Sequence, residues 1–531
     1  MPLFSYLRPR RSLGVPLSAL VGDGVRLASC PSDDVAEGDE EAALATVVTN
    51  VAVSDAEILP GGLFAALPGR LGHGADHTAA AVVAGAVAVL TDDDGAARAS
   101  ASGLPVLVTT DPRRRLGPLA ARVHGTDSGG PRLLGVTGTN GKTTTVHVLD
   151  AVLRQLGLPS GLSSTAERRS RDVAVASRLT SPEATELHAL LARMAEDGVH
   201  TAAVEVSAQA LTRHRVDGIR FDVVGFTNLS HDHRDDYPTP ETYLEAKLEL
   251  FDPARAARGV VLLDSPAGRR VAARSGVPVT TIATGDDGDG ADWHLQVTAT
   301  TASSTAFVLE GPDGRVLRSS VPLIGRHMAA DAALALVMLV EAGHDVADLQ
   351  EAVARGVEVT VPGRTLEVSG ADGPRVYTDF SHTPDSVAKT LEALRTVTDG
   401  RLVVVIGADG DRDPSKREPM GRAAAERADL VVVTDHHPRT EDPAQIRRAL
   451  VTGARTAVEA RRERRDRLPT VVELAEPSAA IRRAVRDVGT GDTVLWVGPG
   501  DTDYRVVGTE DLPYSPRRDA RAALREAGWR A

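Results

Sequence analysis

Leu134-Gly135-Val136-Thr137-Gly138-Thr139-Asn140-Gly141-Lys142-Thr143-Thr144-Thr145 decides how this chain is read. The apolar residues Leu133, Leu134 and Val136 predict a short buried strand. It runs into the turn Gly138–Thr144, and Val146, Val148, Leu149, Val152 and Leu153 predict the helix that follows. Strand, glycine-rich turn and helix start form a cradle for phosphate. Glycines let backbone N–H groups close around anionic oxygens, and the helix N-terminus adds partial positive charge. Lys142 brings a full charge, and Thr143 a hydroxyl suited to Mg²⁺. The spacing departs from the general G-x-x-x-x-G-K-[ST] pattern at one place, because Val136 stands five residues before Gly141.

The chain has 531 residues, too many for one core, and about three domains are expected. Its 42% apolar and 25% charged residues are those of a water-soluble globular protein. A net charge of −13 speaks against a nucleic-acid partner, which needs clustered Lys and Arg. Cys30 is the one cysteine, so no internal disulfide or thiolate metal cage is expected, in keeping with a cytoplasmic protein. Arg8, Arg10 and Arg11 are followed by no continuous apolar run, and no stretch of about 18 apolar residues occurs, so neither a signal peptide nor a membrane span is read.

Three α/β segments are expected. Residues 1–130 read as a small N-terminal domain with strands over 46–53, 61–69, 86–90 and 106–108, a helix over 76–85 and loops over 91–95 and 126–130. Residues 131–358 open with the phosphate loop and alternate helix and strand, which predicts a mostly parallel sheet with helices on both faces. Strands over 201–206 and 221–226 end in Glu205-Val206-Ser207 and Thr227-Asn228-Leu229-Ser230-His231-Asp232-His233, and helices cover 182–197, 240–251 and 329–342. The Gly/Asp-rich stretch 283–292 reads as a surface loop. Residues 359–531 read as a Rossmann-like C-terminal domain with strands over 401–406, 430–434 and 493–497, a helix over 420–427 and a basic, solvated helix over 455–467. Ligands of such sheets sit beyond the carboxyl ends of the strands.

Taken together, Thr137–Thr144, Glu205-Val206-Ser207, Asn228–His233, Ala246-Lys247-Leu248-Glu249-Leu250-Phe251, Thr378–Asp385 and Gly410–Arg417 resemble the motifs of the Mur ligases, the ATP-dependent amide-forming family of peptidoglycan assembly. The chain is similar to the branch that adds the third amino acid to UDP-N-acetylmuramoyl-alanyl-glutamate. The resemblance implies ATP on Gly138, Thr139, Asn140, Gly141, Lys142, Thr143 and Thr144, with Arg364, Asp379 and His382 facing the nucleotide from the third domain. It implies Mg²⁺, two ions, held by Thr143, Glu205, His233 and Lys247, the last as a carbamylated lysine. Lys142, Glu205, His233 and Lys247 form the catalytic group. Thr180, Ser181, Ser207 and Arg215 match positions that grip the UDP-linked muramoyl dipeptide, and Arg412 would meet the carboxylate of a free amino acid. A cytoplasmic monomer with no nucleic-acid or membrane partner is expected.

The departures fall at the substrates. The family's Asp-Asn-Pro-Arg reads His436-His437-Pro438-Arg439, and its Gly-Lys-Gly-His-Glu reads Gly498-Pro499-Gly500-Asp501-Thr502. Arg439 can still bind a carboxylate. His436 and His437 form either a differently charged pocket or plain polar loop, and a metal on them lacks a third ligand nearby in sequence. The family's Asp-Ser-Arg reads Ser54-Asp55-Ala56, and its Asn-x-x-Asn reads Met328-Ala329-Ala330-Asp331. Two other readings therefore stay open: a ligase of this fold acting on a different carboxylate in specialised metabolism, and a non-catalytic nucleotide-binding regulator.

Overall fold

The computed structural model describes residues 7–12, 14–28, 37–69, 72–177, 179–285, 290–370, 372–464 and 466–530. Cys30 lies outside the described residues, as do 286–289 within the expected loop 283–292. Three large sheets organise the chain. The first has five strands in the order Arg26–Leu27, Val106–Val108, Ala86–Thr91, Gly62–Ala65, Asn50–Ala52. All its pairings are parallel except that of Arg26–Leu27.

The central sheet has eleven strands. Its seven middle strands run parallel in the order Ser160–Ser163, Thr201–Glu205, Arg132–Thr137, Phe221–Phe226, Ala256–Leu262, Val279–Thr284, Trp293–Thr300. Antiparallel pairs finish both ends. Thr201–Glu205, Phe221–Phe226 and the ends of Arg132–Thr137 and Ala256–Leu262 bury both faces and are correspondingly rich in apolar residues, while Trp293–Thr300 exposes one face. Leu134 and Val136 pack with the helices Lys142–Gln155 and Arg326–Glu341 on one face. Ala202, Val204, Phe221 and Phe226 pack with the helix Ala184–Glu196 on the other. The third sheet orders Leu366–Glu367, Arg375–Asp379, Thr493–Val497, Leu402–Ile406, Leu430–Val433, Thr470–Glu473, parallel except at its first strand.

Several expectations are corrected. The expected loop 91–95 is the end of a strand and the start of a helix, Asp93–Ala99, because Asp92 accepts a hydrogen bond from the Gly95 N–H and caps it. The expected strand 46–53 is two short ones, Val47–Val48 paired with Val15–Pro16 and Asn50–Ala52 in the first sheet. Pro112–His124, started by Pro112 after the Asp111 cap, is a helix the periodicity did not suggest. The basic helix begins at Pro443 and ends at Glu463, with Ile446, Leu450 and Val451 buried, so only its last turns are solvated. Among the described residues no helix is long and apolar enough to cross a membrane.

Candidate active site

The phosphate loop is shaped by two glycines. Gly138 (φ +149°) and Gly141 (φ +89°) stand where a Cβ would lie 1.8 Å from Thr227 Oγ1 and 2.3 Å from Asp331 Oδ1. No other residue type fits either place. The register of the central strands then sets what surrounds the loop. Val136 is level with Glu205 on one side and Gly225 on the other, so both neighbouring strands deliver their ends beside it.

Two lysines converge on one carbonyl. Lys142 Nζ donates to Gly138 O (3.0 Å) and Thr139 O (2.9 Å), and Lys247 Nζ donates to Gly138 O at 2.8 Å. Lys247 is buried, with its ammonium 4.2 Å from the centre of the Tyr243 ring. A helix lysine is ordinarily solvated, so the burial is a feature only the fold reveals. Burial, reinforced by the charge of Lys142, pushes the Lys247 ammonium well below its usual pKa. Burial also lowers Lys142, against the opposing charges of Glu205 and Asp232.

Glu205 is fully buried at the end of its strand. It accepts from the Thr165 N–H and hydroxyl, both at 2.9 Å, and Thr180 Oγ1 lies 3.0 Å from Thr165 Oγ1. Sequence reading missed Thr165, which carries no motif signal of its own. Among the described residues no Lys, Arg or His forms an ion pair with Glu205. A dry carboxylate with no cation in contact suits a hard metal ion, and the Thr143 hydroxyl and the Glu205 carboxylate are oxygen donors of the right kind for Mg²⁺, while the His233 imidazole is a softer donor. Ser181 Oγ donates to Glu205 O (2.9 Å) and accepts from Ser207 N (3.1 Å), while Ser207 caps the short helix Ala208–Thr212. Arg215 reaches Ser181 O (3.4 Å) but is engaged by Glu183, 3.0 Å away.

His233 adopts the left-handed region (φ +55°) and packs edge-on against Tyr243. Its neighbour Asp232, not singled out in the sequence, is the hub. Its carboxylate accepts from Lys416 Nζ (3.0 Å) and lies 3.6 Å from His233 Nε2 and 3.8 Å from His382 Nε2. Burial would raise its pKa, but Lys416 and the flanking histidines hold it well below the usual carboxylate range.

The third sheet closes on this loop from the other side. Asn140 donates to Asp385 Oδ2 (3.1 Å) and accepts from Thr383 Oγ1 (3.2 Å). Arg364 Nη2 donates to Thr143 Oγ1 at 3.3 Å while its guanidinium stacks on Phe380. His231 meets Ser415 (2.8 Å), and the Arg234 N–H donates to Asp413 at 3.1 Å. Asp379 behaves differently from expectation. It is buried, and its carboxylate accepts from the N–H groups of Thr365 (2.7 Å) and Ser381 (2.8 Å), so it staples its own turn.

His436, His437 and Arg439 gather around Asp409, with Arg412 on the same loop as Asp409, while Asp413 on that loop meets His231 and the Arg234 N–H next to the central sheet. Arg412 is exposed, and no carboxylate pairs with it among the described residues. His437 Nδ1 accepts from the Val506 N–H (2.9 Å), and His436 Nδ1 lies 2.8 Å from Asp409 Oδ1. The fold thus supplies the third side chain near the two histidines that the sequence lacks. A metal does not follow. With Nδ1 accepting, the neutral His437 ring carries its hydrogen on Nε2 and has no lone pair there to ligate. Burial, followed by the charge of His436, pushes the His437 ring down to about 3, so it stays neutral.

Residues 136–339 match the Mur ligase middle domain, and residues 363–500 match the Mur ligase, glutamate ligase domain. The chain belongs to the Mur ligase family. As such it is an ATP-dependent ligase. It is 53% identical over 533 residues, 99% of each chain, to the UDP-N-acetylmuramyl-tripeptide synthetase of Leifsonia xyli. It is 41% identical to the UDP-N-acetylmuramoyl-L-alanyl-D-glutamate–2,6-diaminopimelate ligase of Streptomyces avermitilis, over 90% of this chain and 92% of that one. A solved diaminopimelate ligase of the same title superposes with a TM-score of 0.63 at 22% identity, covering 97% of this ligase and all of that chain. MurF of Thermotoga maritima, solved with ADP, superposes with a TM-score of 0.61, covering 90% of this ligase and 97% of that chain.

Proposed function

We propose that this ligase adds an amino acid to UDP-N-acetylmuramoyl-L-alanyl-D-glutamate in the cytoplasm, through an acyl phosphate, using domains bounded at 130/131 and 358/359. The observation that carries the reading is the meeting of Lys142 and Lys247 on Gly138, within electrostatic reach of Glu205 and the Asp232–His233 pair. ATP lies on Gly138–Thr144, with Lys142 swinging from the loop carbonyls to the γ-phosphate and Arg364 beside it. The acceptor carboxylate attacks that phosphorus and ADP leaves. The amine of the amino acid then attacks the acyl carbon, phosphate departs, and the amide is formed. Thr180, Ser181, Ser207 and Arg215 line the acceptor's approach. Asp379 and His382 shape the third-domain wall, and Arg412 offers an unpaired guanidinium to the amino acid's carboxylate.

Thr143, Glu205, His233 and a carbamate on Lys247 would hold two Mg²⁺ ions, which neutralise phosphate charge when bound. Carbamylation requires a neutral amine, and burial at Lys247 disfavours the ammonium form. The protein's own share is positioning and fixed charge. The names of the relatives favour the muramoyl dipeptide over a different carboxylate, and the presence of Lys142, Glu205, His233 and Lys247 together argues against a silent regulator. Lys142→Ala should abolish ADP release that depends on the muramoyl dipeptide; undiminished turnover would sink the reading.

A further inference from the structure

The carboxyl ends of three adjacent parallel strands, Leu402–Ile406, Leu430–Val433 and Thr493–Val497, form a cup in the third sheet. Gly407 and Gly498 wall it: a Cβ on Gly407 would lie 2.8 Å from His436 Cβ, and one on Gly498 3.5 Å from His436 Nδ1. Asp409 stands at its rim. Oδ1 is taken by His436 Nδ1 at 2.8 Å. No described residue donates a hydrogen bond to Oδ2, and Arg439 Nη2 comes no nearer than 3.6 Å. The side chain is 28% exposed, so this oxygen faces the cup's opening. Burial would raise the carboxyl's pKa, but the hydrogen bond from His436, followed by the positive charge around it, Arg439 included, outweighs it and holds the group well below the usual range.

The two histidines thereby lose their ambiguity. His437 is a neutral fastener, its Nδ1 holding the Val506 N–H while Arg505 Nε donates to His436 O at 3.0 Å, so the hairpin Tyr504–Val507/Glu510–Pro513 is knitted to the 436–439 loop. His436 is a brace for Asp409. Its imidazole fixes Oδ1 and leaves Oδ2 free of any donor among the described residues. Two more groups set the polarity of the cup. Arg412, exposed and with no acid partner among the described residues, stands on the same loop as Asp409, and Gly410 N donates to His437 O at 2.8 Å, tying the two walls together.

We propose that Asp409 is the specificity-determining residue of the amino-acid pocket and takes the side-chain ammonium of the incoming amino acid, with His436 as its positioning residue; this rests on the reading of the protein as an amino-acid-adding ligase. Arg412 takes the α-carboxylate and leaves the α-amine to attack. An ammonium at Oδ2 makes a charge-assisted hydrogen bond that a neutral side chain cannot replace. The ammonium can belong to a diamino monocarboxylic acid or to diaminopimelate, whose second carboxylate would fall to Arg439.

The full-length ligase, with ATP, Mg²⁺ and UDP-muramoyl dipeptide, is offered L-lysine, L-ornithine, L-2,4-diaminobutyrate, meso-diaminopimelate, and the neutral L-norleucine and L-methionine, with phosphate release as readout. The expected result is a kcat/KM for an ammonium-bearing amino acid at least about 10-fold above both neutral ones. Diaminopimelate outrunning the others assigns Arg439 the second carboxylate; a monocarboxylic acid winning leaves it idle. Asp409→Asn should raise KM for the preferred amino acid about 10-fold or more, leaving KM for ATP and the turnover of norleucine unchanged. Asp409→Glu should move the preference toward a side chain one methylene shorter. A wild-type preference for norleucine or methionine overturns the proposal, and so does an equal loss for every amino acid in a folded Asp409→Asn protein. Phosphate release with no amino acid of any kind would instead sink the ligase reading, and the proposal with it.

Discussion

Lys416 Nζ donates to Asp232 Oδ1 at 3.0 Å across the seam between the third sheet and the central one, and both side chains are buried, at 7% and 5% exposure. The pair joins the loop that carries His233 to the loop that carries Arg412. It does so alongside the Asn140–Asp385 and Arg364–Thr143 contacts, so the Gly138–Thr144 loop and the third-sheet loop that carries Asp409 and Arg412 are held in one docked arrangement. Closure of one domain over another commonly assembles a catalytic site and excludes water.

Removing one partner of a buried ion pair leaves the other charge uncompensated, at a cost of about 3–5 kcal/mol. Lys416→Met should therefore disfavour docking and lower kcat by about 10²-fold or more, while ATP still binds the open cradle. Steady-state kinetics with small-angle scattering checks this; an unchanged kcat and an unchanged radius of gyration would show that the pair is incidental.

Burial disfavours the Lys247 ammonium, so a carbamate there should form from dissolved CO₂ and exchange with it. Activity should fall reversibly in CO₂-free buffer and return on adding bicarbonate. ¹³C-NMR after ¹³CO₂ labelling should show a carbamate resonance that Lys247→Met lacks. A wild-type enzyme indifferent to CO₂ and silent in that spectrum would remove Lys247 from the metal-holding set. Lys247→Met itself should lower kcat by about 10²-fold or more, by analogy with the loss of a metal-orienting group.

Asp331, packed against Gly141, has its carboxyl pushed up to about 7, chiefly by burial and against the charges of Lys389, Arg364 and Lys142. In the unfolded chain it titrates near its ordinary 3.8. Between those two values the folded protein keeps a proton that the unfolded chain has lost. Stability from this group is therefore full below about pH 4, falls as pH rises toward about 7, and is level above that. Asp331→Asn cannot titrate, so it should flatten the decline in Tm between pH 4.5 and 7 in the nucleotide-free protein. About 4 kcal/mol is the ceiling on the effect, from a shift of about three units at 1.36 kcal/mol each. Parallel melting curves for mutant and wild type across that range would refute it.

The phosphate loop was legible because everything that makes it is consecutive: an apolar strand, two glycines that alone fit their places, a lysine and a helix start. The buried parallel strands were legible for the same reason, as short apolar runs between turn residues. The misreadings came where one local signal outweighed another. Asp92-Asp93-Asp94-Gly95 looks like a loop by composition, yet Asp92 caps a helix. Arg455–Arg467 looks solvated by charge, yet the helix starts at Pro443 with an apolar face.

The α/β class, the glycine-rich loop Gly138–Thr144 and the motif residues that stand at strand ends are legible in the order of residues, because strand runs and glycine geometry are written in neighbours. That Lys247 is dry, that Asp232 answers Lys416, that Asp379 staples a turn and that His436 braces Asp409 follow from the packing of the folded chain. Burial and pairing belong to residues far apart in the chain, and the free energy of a charge depends on what surrounds it in space.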